Sequence, residues 1–512
     1  MFEFFAWATA LRLFEIVVYS SLWIVIGCFI AATFRRMLGP TAVRRLFGDH
    51  TRFGLIAGWL IGMLLPVCSL GVIPIVREMH RAGVKRGTIV SFGLTAPLFN
   101  PMSVLYGLTL SDPIAILTFC LCAMVIVSLL GFVWNRIASG VDDEETEDTV
   151  SSSGIKRTIS VFDSASSELI GPTLTYIVIG ILASVSLAVL LPHGYLQHAV
   201  NRDQPFAPIV VAAVATPIYS TPLLAMSQIG GMFQHGNSIG AAFSLLILGA
   251  GVNIGLLAWF GRTYGIKRFV MFFLLLVTTT VGLAYLVDKP LYPKGVEPEG
   301  HTHAFDVYTN PFPGRQNGIA SLTQTRITEF WAANELGGTY LLGMLVITGL
   351  IFKVGFKRAT LERWYQKADE KESKLNIVVP SWILGATVVT GLVFASVAGT
   401  YLYYPAPDDI LPDLRAVNVN AVLSARTKQW QAAEKWIAFC DNLSRRVEVG
   451  VYLRNGSVSE FKTGKARVYR DRLEDLKMAV LERREADVAD LGIEVQNAYG
   501  RMRRAFIDEE SR

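Results

Sequence analysis

The chain has 512 residues, of which 52% are hydrophobic and only 17% charged. Ordinary soluble proteins carry about a quarter charged residues, so the composition excludes a soluble enzyme as the whole answer and points to a polytopic membrane protein. The net charge of +5 is too small to mark a nucleic-acid partner. Its distribution over the loops matters more, because Lys and Arg collect on the cytoplasmic side.

Runs close to the roughly 20 apolar residues that cross a bilayer core of about 30 Å fall near 8–33, 53–79, 88–110, 113–136, 168–191, 207–229, 238–260, 267–287, 338–355 and 377–403. They predict an all-α membrane fold of about 8–10 membrane segments, some of them broken. The first run lacks a basic leader and a small-residue cleavage site and reads as a retained helix. Five cysteines (Cys28, Cys68, Cys120, Cys122, Cys440) form no CxxC-type metal or redox motif. No nucleotide-binding signature is present either, so no cofactor is expected.

The second run contains "LLPVCSLGVIPIV" at 64–76. Proline removes a donor and clashes with the preceding turn. Irregular backbone at membrane depth is tolerated only where protein buries it or water bathes it. Residues 53–65 give roughly 20 Å of helix, which reaches only part-way through the core. The chain is expected to break at Pro66 and go on as a second short helix, either returning to its own side or crossing. In the third run "TAPLFNP" at 95–101 breaks the helix again and places Asn100 at mid-span.

Polar stretches divide the rest. The expected domains are a first membrane repeat at 1–137, an acidic disordered linker at 138–167 containing "DDEETEDTVSSSG", and a second membrane repeat at 168–287. An extracytoplasmic loop at 288–337, two further transmembrane helices at 338–403 and a soluble helical domain at 404–512 follow. In that tail Tyr469, Leu473, Leu476 and Val480, then Val488, Leu491, Val495 and Tyr499, recur at helical spacing. The pattern fits a small bundle, or an arm that binds a second copy or a partner protein. His301 and His303 could hold a metal but are more simply surface histidines, and "NGS" at 455–457 is read as an accidental glycosylation match.

The two membrane stretches resemble each other at an offset of 153 positions. Glu15 falls on Glu168, "WIVIG" at 23–27 on "YIVIG" at 176–180, and Gly83, Gly87, Ser91 and Asn100 on Gly236, Gly240, Ser244 and Asn253. With an offset of 151, "PVCS" at 66–69 falls on "PIYS" at 217–220. The connector after the first motif carries Arg77, Arg81, Lys85 and Arg86, whereas its counterpart "GGMFQHGNSIG" carries no Lys or Arg. If positive loops lie inside, equivalent loops face opposite sides, the repeats are inverted, and the tail is extracytoplasmic; if every segment crosses instead, the repeats are parallel and the basic residues at 77–86 lie outside.

Broken helices at equivalent places in two halves are the best sequence pointer to a transporter's central site. The candidate substrate-binding residues are Pro66, Cys68, Ser69, Asn100, Pro217, Tyr219, Ser220, Thr221 and Asn253. The two prolines break the helices, and the remaining side chains bring thiol, hydroxyl and amide groups to half-helix starts. Asn100 and Asn253 could equally cross-link helices. Glu15 and Glu168 are either proton-coupling carboxylates or charges that anchor helix starts.

On these residues the chain resembles the predicted-permease family that includes YraQ and ArsP. The resemblance is carried by Glu15, Glu168, "PVCS" at 66–69, "AGVKRGTIVSF" at 82–92 and the broken helix to Asn100, and it covers roughly 8–287. It implies a cytoplasmic-membrane permease and, in ArsP-like members, export of trivalent organoarsenicals. Those members are expected to show Cys-Ser-Cys after the proline. Here Leu70 stands in the third place, and Tyr219-Ser220-Thr221 fills the second copy, whereas a soft metalloid favours several thiolates.

The expected function is a secondary transporter in the inner membrane, in contact with lipid, that moves a small polar or anionic solute or ion by alternating access. A membrane enzyme with Cys68 as nucleophile and His80 as its nearest base, or a scaffold whose tail recruits partners, are the alternatives.

Overall fold

Continuous apolar sequence forms long helices, and proline decides where the others start. The computed structural model describes residues 2–48, 51–138, 155–293, 304–312, 319–320, 323–324, 326–327, 336–355, 358–366 and 380–507. All the regular structure among them is helical. The first helix, α1 (Phe2–Thr33), continues through a π-helical turn at Phe34–Leu38 into α2 (Gly39–Leu46), so that Glu3–Leu46 is a single apolar rod of 44 residues. Next come α3 (Thr51–Leu64), α4 (Val72–Arg81), α5 (Arg86–Thr95), α6 (Pro101–Leu110) and α7 (Pro113–Ile137). The second half holds α8 (Ile155–Leu169), α9 (Pro172–Leu190), α10 (Ala207–Ala215), α11 (Pro222–Gln234), α12 (Ile239–Ser244), α13 (Ile254–Tyr264) and α14 (Ile266–Asp288). Proline occupies a first or second position in α6, α7, α9, α10 and α11, where its missing N–H costs nothing.

Among the described residues, five helices are long and apolar enough to cross a membrane: Glu3–Leu46, Pro113–Ile137, Pro172–Leu190, Ile266–Asp288 and Gly337–Gly355. A sixth span is available if Ile239–Ala250 and Ile254–Tyr264, bent by 60°, count as one. Of the expected 8–10 segments, five or six are thus full-length helices among the described residues. The runs at 53–79, 88–110 and 207–229 form pairs of short helices, because Pro66, Pro97, Pro101, Pro217 and Pro222 divide them.

The expected linker at 138–167 also needs correction at its C-terminal end. Residues from Ile155 onward form α8, with Ser160, Asp163, Ser164 and Ser166 buried. These polar groups are accommodated because they find partners: the Arg36 guanidinium donates to the Ser164 hydroxyl at 2.6 Å, and the Ser160 and Ser166 hydroxyls donate to the Arg157 and Asp163 carbonyls at 2.7 and 2.9 Å. Arg36 also makes a two-pronged pair with Glu362 of α16 (Arg358–Gln366), at 2.9 and 2.6 Å. This helix follows α15 (Gly337–Gly355).

The stretches 51–137 and 207–288 run through the same order of elements, and two of their hydrogen bonds coincide. The Gly87 N–H donates to the Asn135 side chain at 2.7 Å, and the Gly240 N–H donates to the Asp288 side chain at 2.7 Å. Both acceptors sit 153 positions apart, as the glycines do.

The chain divides into two units, Met1–Val104 with Ile114–Phe394, and Leu105–Pro113 with Ala395–Arg512. The second unit takes only the last residues of α17 (Ser381–Tyr403), from Ala395 on, and contains a four-helix bundle of α18 (Pro407–Arg426), α19 (Trp430–Asn455), α20 (Glu460–Leu481) and α21 (Glu485–Ile507). Its core buries Tyr469, Leu473, Leu476, Val480, Val488, Val495 and Tyr499, the residues of the helical pattern, with Leu491 packed at its edge. Polar groups in this core are paired: the Tyr469 hydroxyl donates to Asn418 at 2.9 Å, and Arg470 is bonded to Glu448.

Candidate functional site

Each half of the first unit contains two helix breaks, and all four breaks come together. At the first, the chain leaves α3 at Pro66 and starts α4 at Val72, with the Gly71 N–H directed at the Cys68 sulfur at 3.3 Å. At the second, Asn100 caps α6: its side chain accepts from the Ser103 N–H at 2.8 Å. At the third, past Pro217, Thr221 caps α11 by accepting from the Leu224 N–H at 3.2 Å. At the fourth, Asn253 caps α13 by accepting from the Leu256 N–H at 2.9 Å. An Asn or Thr cap satisfies one of the unpaired donors of a helix start.

Three contacts tie the breaks to one another. The Asn253 amide donates to the Ser69 carbonyl, which joins the fourth break to the first. The Tyr219 hydroxyl lies beside the Cys68 thiol without being aligned for a hydrogen bond, which joins the third to the first. Leu98 packs on Gly251, which joins the second to the fourth. Asn253 is thus both a cap and a cross-link between helices. Close backbone packing makes the assembly possible. A Cβ on Gly71 would stand 2.4 Å from the Trp23 carbonyl oxygen, and one on Gly255 would stand 2.0 Å from that of Tyr176. Trp23 and Tyr176 are themselves equivalent positions in the two halves.

Cys68, Ser69, Asn100, Tyr219, Ser220, Thr221 and Asn253 are all buried, while Pro66 and Pro217 are half-buried. None of these residues is charged. Several polar atoms here have no partner within the protein: the Ser69 hydroxyl, the Tyr219 hydroxyl and the side-chain nitrogen of Gln228. A buried polar group left unpaired costs on the order of 1–3 kcal/mol, and these three are available to an incoming hydrogen-bonding group.

The carboxylates are occupied elsewhere. Glu168 is buried at the end of α8 and accepts from Arg77 at 3.0 Å and Arg81 at 2.8 Å, and from the Thr173 hydroxyl at 2.5 Å. Arg81 also bonds Glu78 at 3.2 Å. Two of the four basic residues expected on a connector are therefore in α4 and locked to the start of the second half. Glu15 accepts from Arg12 at 2.6 Å, and Arg12 in turn holds the 304–312 segment. His80, the base considered for a Cys68 nucleophile, lies roughly 12 Å along α4 from Val72 and faces Tyr264 and Trp259. The metal reading of His301 and His303 falls outside the described residues.

Sequence reasoning missed Ser184, whose hydroxyl accepts from the Tyr219 N–H at 2.9 Å, and also Gln228 and Tyr308, which meet at 2.6 Å. Nothing in their local pattern marked them. Tyr308 in particular sits in a stretch read as an exposed loop, yet Phe305, Tyr308, Thr309, Asn310 and Phe312 are buried.

A family model described as a predicted permease, ArsP_1, matches residues 6–289, which include all four breaks. The UPF0718 protein YcgR of Bacillus subtilis is 31% identical over 80 residues, covering 16% of this chain and 27% of the relative. A putative two-component membrane permease complex subunit of Streptococcus mutans is 25% identical over 88 residues, covering 17% of this chain and 29% of the relative. The chain thus spans less than a third of the length of either curated relative. No solved structure matches it.

Proposed function

The chain belongs to the ArsP_1 family of predicted permeases, and from that premise we propose that it is a secondary transporter of the cytoplasmic membrane. Its two halves are inverted copies, and a small polar or anionic solute binds where their four broken helices meet. The observation that carries this reading is the convergence of half-helix starts on Cys68, Ser69, Tyr219 and Asn253, with unpartnered hydroxyls left among them. Half-helix N-termini carry positive partial charge and spare donors, which suits an anionic or hydrogen-bonding group. No carboxylate among these residues offers a counter-charge to a cation. Alternating access exchanges the contacts between halves, and the Asn253–Ser69 bond and the Cys68–Tyr219 contact are those that must open. Without a nucleotide site, the energy comes from an ion gradient or a partner protein.

The bundle of α18 to α21 lies outside the matched residues, and we assign it to contact with a second copy or another protein. The Streptococcus mutans relative is named as a complex subunit, and Phe439, Phe461 and Leu423 stand exposed on the bundle helices.

The test is flux in vesicles across a panel of small anions and neutral polar solutes, with and without the chain. Ser69→Ala, Ser220→Ala and Asn100→Ala each lower flux of the transported solute roughly tenfold, the effect of about 1.4 kcal/mol. In the same vesicles, cysteines at positions 81 and 234 are labelled from opposite faces. Labelling both from one face contradicts inversion, and three variants with unchanged flux contradict the site.

A further inference from the structure

The segment 304–312 lies beyond the residues that the family model matches, yet it is fastened into the first unit. The Arg12 guanidinium donates to the Thr309 carbonyl at 2.6 Å and to the Asp306 carbonyl at 3.0 Å. The Asn310 N–H donates to the Leu191 carbonyl at 2.9 Å, and its side chain donates to the Val189 carbonyl at 3.1 Å. Gln197 donates to the Asp306 carboxylate at 3.1 Å. Glu15 holds Arg12 in place, so one of the two acidic residues singled out in the sequence supports this strap.

What the strap delivers is Tyr308. Its ring is 4% exposed, and its hydroxyl donates to the Gln228 side-chain oxygen at 2.6 Å. It also lies against the Ser220 hydroxyl and near Tyr219, whose own hydroxyl is beside Cys68. The Gln228 nitrogen is buried without a partner next to this phenol. A phenylalanine would fill the same volume without burying a hydroxyl. It is the hydroxyl that ties this ring into the polar groups of Gln228 and Ser220.

We propose that Tyr308 is a selectivity-setting residue of the polar centre. It contacts the solute through its hydroxyl, and its ring closes the centre on the side of the third break. This rests on the permease reading and adds to it a wall element from outside the family region. The wall of Cys68, Tyr219, Ser220, Gln228 and Tyr308 offers donors and acceptors but no charge. It fits a small solute with hydrogen-bonding groups, uncharged or anionic, and offers a cation no counter-ion.

Cys68 allows a test that needs no known solute. In the full chain with Cys28, Cys120, Cys122 and Cys440 replaced by Ala, the probe is the impermeant anionic reagent methanethiosulfonate ethylsulfonate, applied to each face of sealed vesicles. Tyr308→Ala raises the rate of Cys68 labelling from one face by roughly tenfold, equivalent to about 1.4 kcal/mol less closure, and Arg12→Ala does the same by freeing the strap. Tyr308→Phe keeps labelling slow, because the ring remains, but changes the ranking of solutes in the flux panel. Unchanged labelling in a monodisperse Tyr308→Ala, or an unchanged ranking in Tyr308→Phe, overturns the proposal. If Ser69→Ala and Ser220→Ala still lower flux in that case, the permease site stands and only the role of Tyr308 falls. If they too are without effect, the site reading fails as well.

Discussion

Gly255→Ala and Gly71→Ala are each expected to abolish flux and to lower the thermal stability of the detergent-solubilised chain. The sign is the informative part. Where alanine can adopt the native backbone conformation, Gly→Ala ordinarily stabilises by about 0.4–1 kcal/mol. Here the new methyl group would stand 2.0 Å from the Tyr176 oxygen or 2.4 Å from the Trp23 oxygen, and both obstacles are backbone, which cannot rotate aside. Overpacking of this kind costs about 1–3 kcal/mol, and the relief available is to push α9 from α13, or α1 from α4, which pulls the breaks apart. Gly282→Ala is the control: nothing lies within 4 Å of the added carbon, so it should keep flux and hold or raise stability. Equal behaviour of all three variants would mean that the close crossings do not exist.

Glu168→Gln carries the second large effect. The carboxylate is 7% exposed and holds the Arg77 and Arg81 guanidiniums and the Thr173 hydroxyl. Neutralising it leaves the buried Arg77 without its carboxylate and Arg81 with Glu78 alone, and removing one partner of a buried pair costs about 3–5 kcal/mol. Thermal unfolding should therefore drop sharply, and the added changes Arg77→Gln and Arg81→Gln should recover part of the loss rather than deepen it. If Glu168→Gln instead unfolds like the parent while altering the proton dependence of flux, Glu168 is a coupling carboxylate after all and not a clamp.

The helix breaks could be read from the sequence, for a physical reason. Proline and cap residues act locally, so "PVCS", "TAPLFNP", "PIYS" and Asn253 announce helix breaks wherever the rest of the chain goes. The structure places breaks at all of them. The tail pattern was legible in the same way, since Tyr469, Leu473, Leu476 and Val480 repeat at the helical period and are buried together. What was not legible depends on contacts distant in sequence. α8 looks like linker because its serines are polar; Ser160 and Ser166 donate back to carbonyls of their own helix, and Ser164 is met by Arg36, over a hundred residues away. Glu168 looks like a lone membrane acid until Arg77 and Arg81 are seen beside it. A long apolar run does not by itself say whether it is one helix or two, because a hydropathy window adds up residues on both sides of a proline break. Tyr308 carries no local signal at all, as its partners Gln228 and Ser220 are brought to it by the fold.

The convergence of the breaks is tested most directly by cross-linking its two facing motifs. In the chain that retains Cys68, with Tyr219→Cys added and the other cysteines replaced, a one-carbon bis-methanethiosulfonate should join positions 68 and 219 within a single molecule and stop flux, and reduction should restore it. Both thiols reacting singly, with no cross-linked peptide and flux undisturbed, would contradict a shared polar centre between the two halves.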